Sequence, residues 1–263
     1  MALQDAPGTW SIAVADAITG ERLFERAPSM VLPSASSAKV LALVAAALAV
    51  EAGAADPSEL LRRGSVRPVA DSGLWQHLRV EALPLDDVAR LVGTVSDNLA
   101  TNVLVHRLGG VAAVSQATQR MELIDIHLHD IVRDVRRAED PPQFSSGSAS
   151  GYRFFFTRLW RGEIGGRSVS DRVLGWLRDG VDLSMVAGAF GLDPLAHGDG
   201  DRGVKLWHKT GTDVGVRADS GVVERDGRGI AYSVLVRFDD RDRDRDRALH
   251  VMGAIGEGIR RSL

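Results

Sequence analysis

Strand-forming sequence is confined to the two ends of this 263-residue chain, and the long stretch between them is helical. Residues 10–16 alternate in polarity, and residues 16–20 read as a turn into a second strand near residues 21–25. Strand signals return only after residue 200, at 204–208, 221–224 and 230–238, with an Asp226-Gly227 hairpin turn between the last two. Between the ends lie a helix from about Ser36 to Gly53 and two helical stretches from Asp86 to Gly110, broken at Ser96-Asp97-Asn98. Shorter helical patterns follow near 152–160 and 171–178, and an amphipathic helix over 248–261 closes the chain. Strands from both termini share one sheet only if the chain leaves that sheet and comes back. The pattern therefore predicts an α+β fold: one domain over residues 1–263, with an antiparallel sheet from about 1–35 and 200–263 and an all-α part from about 36–199. The cleft between the two parts is the expected place for a small-molecule site.

Positive charge comes almost entirely from arginine. Of the three lysines, two open or close short polar signatures, Ser36-Ser37-Ala38-Lys39 and Lys209-Thr210-Gly211. Arg keeps its proton at any reachable pH, whereas a desolvated Lys, or one set beside another cation, can release it. A formal net charge of −3 gives no electrostatic reason to expect nucleic acid or an anionic membrane as partner. The absence of cysteine excludes disulfides and thiolate chemistry. The apolar run over 40–50 is too short to span a bilayer and reads as a buried helix. Neither a basic n-region nor an apolar h-region begins the sequence, so a cytoplasmic location is expected for the chain as it stands, and a periplasmic or secreted one if a leader was removed.

Ser36 stands at the first turn of a buried helix, where exposed backbone N–H groups favour an oxyanion, and Lys39 lies on the same helical face. Taken alone, the pair also fits a helix cap followed by an ordinary lysine, although the apolar neighbours of Lys39 argue for burial. Ser96-Asp97-Asn98 supplies a hydroxyl and an amide between two helices, and equally suits a capping turn. Lys209-Thr210-Gly211 falls on a strand where glycine leaves room for a ligand, or where lysine protects an edge.

In this order and at this spacing, the three signatures resemble those of class A β-lactamases and penicillin-binding proteins. The segment Leu85-Asp-Asp-Val-Ala-Arg-Leu-Val-Gly-Thr-Val-Ser-Asp-Asn-Leu-Ala-Thr-Asn-Val-Leu-Val-His-Arg-Leu-Gly-Gly110 is similar to that family's inner helix pair. The resemblance implies a β-lactamase/transpeptidase-like fold over nearly the whole chain. It implies Ser36 as nucleophile, Lys39 as the base that takes its proton, and Ser96 as the shuttle to the leaving nitrogen. Asn98 would meet a substrate amide, and Lys209 and Thr210 a substrate carboxylate. The backbone N–H groups of Ser36 and Thr212 would form an oxyanion hole, and Arg217 falls where many class A enzymes place a carboxylate-binding arginine. The expected partner is a small β-lactam, acyl ester or amide, with no metal and no cofactor. Esterase or D-alanyl peptidase-like activity on the same serine is the first alternative, and a module that binds or acylates without turnover the second.

The pattern departs from the family in one place. Class A enzymes carry Glu-x-x-x-Asn on a loop facing the site, where the glutamate activates the deacylating water. No such motif occurs between Asp130 and Gly147. Glu139, in Arg137-Ala138-Glu139, is the best carboxylate candidate for that role and Asp134 a weaker one. The segment over 185–203 is long and holds His197, with His208 just beyond; it would rim the site or shape substrate choice. His127 and His129 have an alternate spacing that suits a metal, but lack a third ligand.

Overall fold

The computed structural model describes residues 6–239 and 241–263; residues 1–5, part of the stretch read above for a leader, lie outside it. The first strand, β1 (Thr9–Asp16), pairs with β2 (Arg22–Arg26) on one side. On its other side it pairs with the last strand, β10 (Arg228–Arg237), in an antiparallel register that sets Thr9 opposite Arg237. With β8 (Val204–Asp213) and β9 (Val216–Arg225) these form a five-stranded sheet in the order β2-β1-β10-β9-β8. The expected sheet from both termini is thus observed. Asp226 and Gly227, both with positive φ (51° and 80°), make the β9–β10 hairpin turn.

Alternation along β1 divides the core. Trp10, Ile12 and Val14 face a cluster closed by the C-terminal helix α7 (Asp242–Ser262), whereas Ala13 faces the opposite side. The outer cluster also takes in Met185, Val186, Phe190 and Leu192. Residues 185–192 therefore belong to the layer over the sheet and not to the helical part in which the sequence pattern put them. Their apolar side chains are buried against the sheet and α7. The alternating Asp and Arg residues over 242–247 form the first turns of α7.

On the inner face lies α1 (Lys39–Glu51), whose first nine residues are all buried. A helix apolar on every side has neighbours on every side, and α1 packs among α2 (Leu85–Thr94), α3 (Asn98–Arg107), α4 (Val111–Gln119) and α6 (Arg167–Leu177). Helix α5 (Ala149–Arg161) lies between this group and strands β9 and β10. Two small sheets finish the helical side: β3 (Val31–Pro33), β7 (Ser145–Ser148) and β6 (Ile126–Leu128) in one, β4 (Leu60–Arg62) and β5 (Ala82–Pro84) in the other. Among the described residues no helix is long and apolar enough to cross a membrane.

The sheet ends at β8, and the turn that leads into α1 lies against it. Gly211 makes that approach possible, since a Cβ there would run into Ser34 O and come within 3.0 Å of Ser37 N. Both obstacles are backbone and cannot swing away. Gly211→Ala is expected to cost on the order of 1–3 kcal/mol, the usual penalty for overpacking. Urea unfolding measures it, and a variant as stable as the parent would show that strand and turn separate freely.

Candidate active site

The turn over Ala35–Ala38 is a short 3-10 segment before α1, and Ala35 in it adopts φ 45°, a left-handed conformation unusual for a residue with a Cβ. A hydroxyl chain fixes it. Tyr152 Oη donates to Ser34 Oγ at 2.8 Å, and Ser145 Oγ donates to Ala35 O at 2.5 Å. Each hydroxyl has one proton, so the 2.8 Å contact between Ser34 and Ser145 runs from Ser34 to Ser145. The chain ends on the carbonyl just before Ser36. Ser36 lines a cleft of about 860 Å³, while its neighbour Ser37 is buried and turns its hydroxyl toward Lys209 O at 3.4 Å.

Lys39 is fully buried at the start of α1. Its Nζ donates to Ser96 O at 2.6 Å and to Asn98 Oδ1 at 2.7 Å, and lies 3.2 Å from Ser96 Oγ. Asn98 Nδ2 donates to Ala70 O at 3.2 Å, which orients the amide with its oxygen toward the lysine. Burial, and then the positive charge of Lys209, push the Lys39 amine well below the usual lysine range. Ser96 holds φ 56°, and that left-handed turn lets its carbonyl and its hydroxyl approach the same amine. Asp97 serves structure: it accepts from Ala100 N at the start of α3 and from Leu74 N and Trp75 N of the preceding loop. The tripeptide is both a helix cap and a cleft wall, since Ser96 and Asn98 line the cavity.

Across the cleft, β8 brings Lys209, Thr210 and Thr212 to its edge. Lys209 is buried, its Nζ donates to Thr210 O at 2.9 Å, and desolvation lowers its pKa to about 8 against the pull of Asp182 and Asp219. His208, next to it, lines the cleft with Nδ1 2.9 Å from Asp219 Oδ1, which also accepts from Tyr232 Oη at 3.1 Å. Arg217 does not line the cleft. Its guanidinium donates to Asp213 O and Val216 O, and sits over the Phe238 ring at 5.9 Å. His197 is likewise away from the cleft, with Nδ1 2.7 Å from Asp193 O.

The geometry corrects the expectation for Glu139. Its side chain is 69% exposed, its ion-pair partner is Arg137 at 3.9 Å, and it does not reach the cleft. The loop folds inward on Asp130 instead, a buried carboxylate that takes Arg133 and Arg136 at 2.7 Å each. Asp140 accepts from Arg137 N at 2.9 Å and pairs with Arg133 at 3.2 Å, a tight turn that leaves Glu139 outside. The loop residues lining the cleft are Val132, Arg133, Asp134 and Arg136. Asn102 clamps Val132 from both sides, accepting from its N–H and donating to its carbonyl, both at 2.8 Å. His127 and His129 stack at 5.8 Å, and His129 lies 2.8 Å from Ser146 Oγ. No metal-binding group occurs among the described residues.

Asn102 was within reach of sequence reasoning, because it follows Asn98 by one helical turn on the same face of α3. Asp182 and Asp219 carried no such signal: one lies in a loop after α6, the other inside β9, and only folding brings both to Lys209.

Comparison with known proteins agrees with this fold. Residues 1–263, the whole chain, match the profile of the β-lactamase enzyme family. No curated protein matches the sequence. Among solved structures, PBP-A superposes with a TM-score of 0.79 at 23% identity, over 99% of this chain and 92% of that one. A β-lactamase from Sphaerobacter thermophilus gives 0.78 at 21% identity, over 94% and 89%. An ancestral class A β-lactamase gives 0.81 at 19%, over 99% and 96%. The family is one of serine hydrolases of the β-lactamase kind, and the fold is the one shared by class A β-lactamases and PBP-A. The chain belongs to the β-lactamase enzyme family, and its substrate is a small molecule.

Two buried amines with lowered pKa have a consequence for stability. Below about pH 8 the folded protein must hold Lys209 charged in a dry site, while the unfolded chain holds its lysines charged in water at no such cost. Between about 8 and the unfolded value near 10.5, only the unfolded chain keeps the proton, so stability rises with pH. Lys39 acts in the same direction. Urea unfolding at pH 7.5 and 9.5 should show the parent gaining stability, with a smaller gain in Lys209→Met. An equal gain in both proteins would contradict the assignment.

Proposed function

We propose that the chain hydrolyses β-lactams or related cyclic or ester acyl compounds through an acyl-Ser36 intermediate, and that it forms this intermediate faster than it releases it. The observation that carries the reading is the Lys39 amine, buried, with its pKa lowered, and 3.2 Å from the hydroxyl of Ser96 in the wall that Ser36 faces. A neutral amine has two N–H groups and one lone pair. Ser96 O and Asn98 Oδ1 take the two hydrogens, and the lone pair is left for the Ser96 hydroxyl proton. Ser36 Oγ then bonds to the substrate carbonyl carbon while its proton passes toward Lys39, directly or through Ser96. The scissile C–N or C–O bond breaks, and the leaving atom takes the proton back along the same route.

Release of the acyl group needs a water on the open face of the ester with a base in reach. The loop offers Val132 at the clamped position, two arginines committed to Asp130, and Asp134, whose Oδ1 accepts from Ala70 N at 2.8 Å. None of these is a free carboxylate in a dry site, which favours a slow second step.

Intact mass with time after mixing with penicillins and chromogenic esters tests the first step. A single adduct mapping to Ser36 is expected, and an adduct on Ser37 or Ser96 would overturn the assignment. Lys39→Arg keeps the charge but cannot act as a base near neutral pH, so acylation should fall by about 10² or more. Near-parental acylation in that variant would mean that Lys39 contributes charge alone.

The second step is tested at Val132. Because Asn102 fixes the backbone of this residue at the cleft, Val132→Glu puts a carboxylate where the loop lacks one. The parent should show a burst of one equivalent followed by slow release, and Val132→Glu should release about tenfold faster or more. Rapid linear turnover by the parent, lost in Asp134→Asn, would make Asp134 the deacylating base and remove the slow step.

A further inference from the structure

The hydroxyl chain behind the Ser36 turn ends on a carbonyl with a second partner in the reaction. Ser145 Oγ donates at 2.5 Å to Ala35 O, and that oxygen shares one peptide group with the Ser36 N–H. A trans peptide is planar, with its carbonyl and its N–H pointing in opposite directions. A carbonyl held on the Ser145 side therefore fixes the plane and aims the Ser36 N–H away from that buried side. Ala35, with φ 45°, is the residue whose left-handed turn sets the plane that follows it.

The chain is built to donate in one direction. Ser34, Ser145 and Tyr152 are all buried, so their hydroxyls bond to one another and not to bulk water. Burial pushes the Tyr152 phenol well above its usual range, so it keeps its proton and heads the chain as a donor. Gly147 of β7 makes room for the ring, since a Cβ there would lie 2.4 Å from Tyr152 Cε2. Each hydroxyl that accepts a bond becomes a better donor in the next one. At the end of the chain, density drawn toward the Ala35 oxygen is withdrawn from the amide nitrogen by resonance, and the Ser36 N–H becomes a stronger donor.

We propose that Tyr152, Ser34 and Ser145 are positioning residues for acyl transfer, a buried relay that orients and polarises the Ser36 N–H as an oxyanion donor. The proposal rests on the reading of Ser36 as the acylated residue, and it gives a role to three side chains that do not line the cleft. A stronger donor matters most where negative charge develops on the substrate carbonyl oxygen, so the relay acts on the rate of acylation and not on the first binding step.

The dipeptide Ala-Ser occurs at Ala35-Ser36 and at Ala149-Ser150 and nowhere else in the sequence. Full-length protein labelled with carbon-13 at the alanine carbonyl and nitrogen-15 at serine therefore gives two carbonyl–amide correlations by NMR, one a reporter and one a control. In Ser145→Ala the Ala35 carbonyl carbon and the Ser36 nitrogen should both move upfield relative to the control pair. Tyr152→Phe keeps the ring and the Ser145 bond, and should move both in the same direction by less. It carries the test alone should Ser145→Ala fail to fold. Stopped-flow acylation by penicillin G should slow about tenfold in Ser145→Ala, with the dissociation constant of the initial complex within about twofold. Ser145→Thr, which restores a hydroxyl, should restore the rate and both shifts. Reporter shifts unmoved by Tyr152→Phe, or a loss in Ser145→Ala that falls on initial binding and leaves the acylation rate intact, would each overturn the proposal. A parent that forms no adduct with penicillins would sink the reading of Ser36, while the labelled peptide would still decide whether the relay polarises this N–H.

Discussion

The Lys39 amine joins the start of α1, the Ser96 turn and the first residue of α3 at one buried point. An amine taken out of water is costly unless its hydrogens find acceptors. Three oxygens converge on this one, so the charged form is satisfied by three donated bonds. The neutral form is satisfied too, once the Ser96 hydroxyl turns to donate. Either protonation state therefore leaves the hydrogen bonding complete, and the balance between them is set by desolvation and by Lys209. Losing the amine would unpair Ser96 O and Asn98 Oδ1 together, so the same contacts that tune the base also hold the helical layer to the cleft.

Strained and crowded backbone gathers where this arrangement demands it. Ala35 and Ser96 both hold left-handed conformations, and both lie beside cleft residues that must be aimed at one another. Such conformations survive only where the surroundings fix them. At Ala35 the fixing agent is the hydroxyl chain from Tyr152 through Ser34 and Ser145; at Ser96 it is the cap of α3 by Asp97, which is itself tied to the Leu74–Trp75 backbone. Gly211 completes the set by letting β8 lie against the Ser36 turn.

The sheet built from both termini was legible because β1 and β10 announce themselves by alternation and by the Asp226-Gly227 turn, cues that depend only on near neighbours. Ser36, Lys39, Ser96, Asn98, Lys209 and Thr210 were legible in short signatures that resemble those of a known family, which also implied Thr212, and the fold brings them to one cleft and its wall. Arg217 was placed by the family resemblance and Glu139 by the Arg137-Ala138-Glu139 pattern, and here the local physics differed. Arg217 found the carbonyls of its own hairpin, and Glu139 was left outside a turn closed by Asp140. Residues 185–192 read as part of the helical region because their burial partners lie in α7, at the far end of the sequence.

The loop between Asp130 and Asp140 shows how one set of charges can serve structure and, by that service, withhold chemistry. A loop rich in Asp and Arg could in principle present a general base to the cleft. In this chain the buried Asp130 draws both Arg133 and Arg136 onto itself, and Asp140 closes the turn behind them. The strongest acceptor of the loop is thereby saturated, with its carboxyl held below the ordinary range by its arginine partners and the Ile131 N–H. A base works best when its pKa lies near the working pH, so Asp130 is displaced from that role by the contacts that order the loop. Asn102 then fixes Val132, an apolar side chain, at the cleft. The half of the cleft at the start of α1 is built around an amine tuned by burial, and the facing loop is ordered by ion pairs on Asp130.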